Sequence, residues 1–85
     1  MIIVAAGPAY ACLTRDLLDQ SVAHAIAGEK TKFAALLTSG LCVNIPLDQR
    51  YKVLSTARDA IEITHVSNAA ASRGLWALST AFSPA

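Results

Sequence analysis

The sequence is short of charge. Asp, Glu, Lys and Arg make up 15% of its 85 residues, against about 25% in a typical soluble domain. A strong charge of one sign is missing too. The formal balance is +1, which leaves no electrostatic footprint for nucleic acid. A disordered tail is excluded, because such tails combine high net charge with low hydrophobicity, and 54% of this chain is hydrophobic. Cysteine is scarce: two residues are too few for a disulfide scaffold. A long apolar run is also absent. The longest uncharged stretch, Phe33 to Leu47, has 15 residues and is interrupted by Gly40, Asn44 and Pro46, whereas a membrane-spanning helix needs about 20 apolar residues. Ile2-Ile3-Val4-Ala5-Ala6 is apolar, but no Lys or Arg precedes it and it is short for a signal peptide. These absences predict a cytoplasmic protein with no membrane segment, in which Cys12 and Cys42 are reduced thiols.

What is present favours helices. The chain has 17 Ala, 10 Leu, 6 Ile and 5 Val. Ala loses no side-chain entropy in a helix, and Leu loses little. The length fits one small domain, residues 1–85. A chain this short buries only about 60% of the surface its unfolded form exposes. With so few charges, part of the remaining apolar surface is expected to be covered, by a homo-oligomer or by another protein. The plainer alternative is an Ala-rich monomer, since small side chains raise the hydrophobic count without making sticky patches.

Along the chain, residues 1–7 are apolar and end at Gly7-Pro8, as a short strand or an extended arm would. Leu13, Leu17, Leu18, Val22, Ala25 and Ile26 recur at steps of three and four, one face of a helix. Thr14 is its candidate N-cap, with a start nearer Pro8 as the alternative, and Gly28 is its stop. Thr31 would cap a second, short helix carrying Phe33, Leu36 and Leu37, ended by Gly40. Leu41-Cys42-Val43-Asn44-Ile45 then alternates up to Pro46, as a short strand or linker, with Ile2–Ala5 as its candidate partner.

Beyond Pro46 the spacing turns helical again, with Asp48 as a candidate N-cap. Leu54, Ala57, Ile61, Thr64, Asn68, Ala71, Leu75, Leu78 and Phe82 form one stripe. One long helix, or two broken near Ser67-Asn68, would carry it. Ile61-Glu62-Ile63-Thr64-His65-Val66 conflicts, because it alternates and is rich in β-branched residues. The Ala-rich flanks favour helix there. Gly74 would cost that helix about 1 kcal/mol against Ala. The expected architecture is therefore mainly α: a small domain of three to four helices with at most one short two-stranded element. The alternative is α+β, with strands at 1–6, 41–45 and 61–66.

Each chemical motif has a plain reading beside it. Gly28-Glu29-Lys30-Thr31 lacks the spacing of a phosphate loop and reads as a helix stop followed by a charged turn. Glu62 and His65 make one Glu-x-x-His pair, but a di-metal bundle needs two such pairs and further carboxylates. A surface Glu–His contact is the better reading, and no metal or cofactor is expected. Cys12 and Cys42 lack zinc-site spacing; as buried thiols they are structural, and a catalytic Cys–His pair is the sharper alternative. Arg50, Lys52 and Arg58 form the densest basic group, a solvated helix face or an anion-binding site. Leu75, Trp76, Leu78 and Phe82 close the chain as a core helix or as an interface anchor.

The function expected from this is a small non-enzymatic protein–protein interaction module that self-associates, an inhibitor or adaptor, with Leu75, Trp76, Leu78 and Phe82 at the interface. The second reading is a binder of small anions through Arg50, Lys52 and Arg58. The third is a cysteine-dependent enzyme.

Overall fold

The computed structural model describes residues 1–68, 70 and 73–85. It is not mainly helical. Seven strands form one antiparallel sheet: β1 (Ile2–Ala5), β2 (Ala9–Cys12), β3 (Cys42–Ile45), β4 (Arg50–Ala57), β5 (Ala60–His65), β6 (Leu75–Leu78) and β7 (Phe82–Pro84). Two helices, α1 (Arg15–Ile26) and α2 (Lys30–Thr38), lie between β2 and β3. The strands run across the sheet in the order β3-β2-β6-β5-β4-β1-β7.

The sheet follows from a period of two that the helical stripe concealed. Ala9, Ala11, Ile45, Tyr51, Val53, Ile61, Ile63, Leu75, Ala77, Ile3, Ala5 and Phe82 come from all seven strands and share one apolar cluster. Successive side chains of a strand point to opposite faces, so these residues define one face. Neither α1 nor α2 contributes to the cluster on that face, yet Ile3 is 4% exposed, and Ala11 and Ala77 are fully buried. A sheet can bury one face without a second layer only by curling around it, and this face is the inner one. The expected helix after Pro46 is thus replaced by β4, β5, β6 and β7. The conflict at residues 61–66 resolves as strand, because Ile61 and Ile63 fill the inner layer while Glu62 and Thr64 point outward. Ala71, part of the helical stripe, lies outside the described residues.

Two local features hid β4 and β6. The register of β4 against β5 shifts between Val53 and Ser55. Leu54 is therefore a β-bulge, which breaks the alternation partway along the strand. Gly74, read as a helix residue, leads into β6. A Cβ there would overlap the Ile63 carbonyl, so a close backbone approach demands glycine.

The helices form where the periodicity placed them. Thr14 Oγ1 accepts a hydrogen bond from the Leu17 amide at 3.2 Å, and Gly28 follows α1 with φ 72°, a left-handed stop that suits glycine. The N-cap of α2 is Glu29 rather than Thr31. β3 pairs with β2, not with β1; β1 pairs with β4 and β7.

Candidate functional site

The outer face of the sheet has two halves. Over β3, β2 and β6 it is roofed: α1 packs on β2 and β6, and α2 on β3. Leu17, Leu18, Leu36 and Leu37 meet Tyr10, Cys12, Cys42, Ala60, Trp76 and Leu78 beneath them. Leu18 is 1% exposed. The Tyr10 hydroxyl donates to Ser21 Oγ at 2.7 Å, and Ser21 donates in turn to the Leu18 carbonyl at 2.6 Å. Tyr10 also meets Phe33 edge-on, with ring centroids 5.1 Å apart. Both helices are thereby pinned to β2.

A disulfide closes this half. Cys12 and Cys42 are register partners on β2 and β3, and they are bonded to each other. The expectation of reduced thiols is wrong, and so is the catalytic-thiol alternative, because no free cysteine remains. Thirty residues apart in sequence, they face each other because the α1–α2 excursion returns the chain antiparallel to β2.

The other half, over β4, β1 and β5 beyond Ala60, lies outside the cluster that the two helices pack on. Its side chains follow from the register. Ile2 lies opposite Lys52, and Val4 opposite Arg50. Lys52 neighbours Thr64, and Ser55 neighbours Glu62. The result is a mixed face of aliphatic, hydroxyl and cationic groups. Ile2 is 41% exposed and Arg50 is exposed as well. Glu62 is the one acid among these strand residues, and it is occupied: its carboxylate accepts from Ser55 Oγ and from the Gly74 amide, each at 3.0 Å.

The sequence candidates scatter across this plan. Arg50 and Lys52 share the bare face, two residues apart on one strand. Arg58 does not join them; it sits in the turn between β4 and β5. Trp76 and Leu78 lie under the roof, where the Arg15 guanidinium stacks 6.0 Å from the Trp76 ring centroid. Leu75 and Phe82 pack against the inner layer. The four residues therefore do not form one surface.

Glu62 and His65 are not a pair, because an offset of three places them on opposite faces of a strand. His65 stands edge-on to Tyr51. Its Nε2 donates to Gln49 Oε1 at 2.6 Å, while Nδ1 accepts from the Ser67 amide at 3.1 Å. This set of partners assigns the Nε2–H tautomer. Among the described residues no cluster of His, Cys, Asp and Glu is placed to hold a metal ion.

Gly28-Glu29-Lys30-Thr31 forms the α1–α2 turn. Glu29 accepts from Lys32 Nζ at 2.9 Å and lies 3.1 Å from His24 Nδ1. Lys32, then His24, hold the Glu29 carboxyl below its ordinary value, and Glu29 raises Lys32. Lys32 is exposed and His24 and Glu29 are half-buried, and the triad ties the helix turn together. Burial, then the charge of Asp48, raises the Tyr51 hydroxyl.

Residues 2–83 match the family described as Surface attachment protein Sap1-like, and the chain belongs to that family. No curated protein and no solved structure matches it. The family's description, surface attachment, points to a surface location in place of the cytoplasmic one expected from the sequence. No helix is long and apolar enough to cross a membrane among the described residues.

Proposed function

We propose that this Sap1-like chain is an attachment domain that binds through the outer face of β5, β4 and β1. The observation that supports this reading is the division of the outer face. One half is roofed and disulfide-tied, and the other presents Ile2, Val4, Arg50, Lys52 and Thr64 with neither helix over them. Such a face suits an anionic, partly apolar surface. The cations supply attraction, and each Å² of apolar area removed from water adds about 25 cal/mol. Weak contacts of this kind become firm when many copies act together.

The test compares two charge-matched double variants for adsorption to carboxylated polystyrene. Ile2→Asp with Arg50→Glu alters the bare face. Ile26→Asp with Lys30→Glu alters the helices by the same net charge. The first should weaken adsorption at least tenfold, or about 1.4 kcal/mol, and the second should change it little. Equal losses in two folded variants would reduce the effect to net charge and sink the proposed face.

A second reading, association between copies, is favoured by the edge strand β3. Val43 on that edge is 37% exposed, and beyond its start Leu13 and Leu41 are 49% and 38% exposed. The edge carries no Lys, Pro or bulge within residues 42–45 to discourage pairing. Light scattering across a dilution series should find a dimer that Val43→Lys converts to monomer. A monomer at every concentration would rule this out.

A further inference from the structure

The turn between β4 and β5 breaks a local rule. Ala57 and Ala60 are the last paired residues, so Arg58 and Asp59 form a two-residue hairpin loop. Arg58 has φ 58°, and among the described residues it is the one non-glycine in the left-handed region. Glycine is favoured at such a position, because a Cβ crowds the neighbouring backbone. An arginine held there points to a use for its side chain.

That side chain borders an open cavity of about 270 Å³ at one end of the inner layer. Ile3, Val53, Ile61 and Phe82 line it with apolar surface, Thr56, Ser79 and Ser83 add hydroxyls, and Met1 is also on the wall. Arg58 is the one ionisable side chain on the wall. Among the described residues it makes no ion pair and no hydrogen bond through its side chain. A guanidinium fork is built for two parallel hydrogen bonds to a carboxylate. The apolar wall has no use for a bare anion, and the guanidinium has none for a neutral hydrocarbon. Together they complement a ligand carrying both features.

We infer that the Arg58 cavity binds a small aliphatic monocarboxylate, its tail against Ile3, Val53, Ile61 and Phe82 and its carboxylate on Arg58. The site belongs to the inner face of the sheet. It does not depend on the attachment face, and variants there leave it intact.

Isothermal titration calorimetry with octanoate tests this, with 1-octanol, octylamine and acetate as comparators. Octanoate should bind saturably at one site, at least tenfold tighter than each comparator. Arg58→Gly suits the left-handed backbone and should keep the fold, read by circular dichroism, while weakening octanoate at least tenfold. Arg58→Lys keeps the charge without the fork and should fall between. Absence of saturable octanoate binding to the folded protein would overturn the inference. So would octanoate affinity that survives Arg58→Gly, or 1-octanol binding as tightly as octanoate.

Discussion

The two halves of the outer sheet face hang on the same ladder and are secured by different means. The β3-β2-β6 half is held three ways: by the Cys12–Cys42 bond, by the leucines of α1 and α2, and by the Tyr10–Ser21–Leu18 hydrogen-bond chain. Beyond Ala60, the β5-β4-β1 half lies outside that helix-packed cluster and depends on strand pairing and the inner layer. The lesson is that a chain of this size can leave half a sheet face open if it concentrates its fastening on the other half. The open half is then available for contact with something else.

The comparison is broken most severely by cutting the staple. In the loop-entropy account, a bridge that closes a loop of 30 residues contributes about 3.6 kcal/mol. Reduction, or Cys12→Ser with Cys42→Ser, should lower the unfolding free energy, read by denaturant titration, by that much. Hydrogen exchange should show α1 and α2 loosened before β4 and β5. Uniform loosening of both halves would mean that the staple supports the whole sheet.

A smaller break comes from the roof. Leu18→Ala should cost about 3 kcal/mol by denaturant titration, because Leu18 is buried between helix and sheet. A cost below about 1 kcal/mol would show that the roof adds little.

The smallest effect sits at the α1–α2 turn. The Glu29 carboxyl is held below its ordinary value by Lys32 and His24. Its contribution is therefore present above the unfolded carboxylate value and lost as pH falls through the folded one. The melting-temperature gap between the unaltered chain and Glu29→Gln should narrow as the solution is acidified. A gap that stays constant with pH would assign the effect to packing.

Some of this was legible in the residues. The Leu17–Leu18 periodicity, the Thr14 cap and Gly28 mark α1 correctly. The alternation in residues 42–45 and 61–66 is visible too, and it falls on β3 and β5. It lost to Ala-rich flanks because Ala, being small and apolar, fits an inner strand position as readily as a helix. Ala9, Ala11 and Ala77 do so here. The bulge at Leu54 interrupts the period of β4, and the four residues of β6 are too short to show one. The disulfide was not legible, since a spacing of 30 says nothing of which strands lie side by side. Helical spacing groups Arg50 with Arg58. Extended at about 3.3 Å per residue, the same interval separates them by roughly 25 Å. The pleat of β4 turns Arg50 to the bare face, whereas Arg58 lies in the turn beyond the strand and borders the inner cavity.

If attachment uses the bare half and spares the roofed one, adsorption will shield the two halves unequally. Hydroxyl-radical footprinting of protein adsorbed to carboxylated polystyrene tests it most directly, because an exposed isoleucine reports on each half. Ile2 is 41% exposed on the bare face, and Ile26 is 83% exposed at the end of α1. Adsorption should suppress oxidation at Ile2 and leave Ile26 unchanged. Protection of Ile26 with Ile2 still reactive would contradict it.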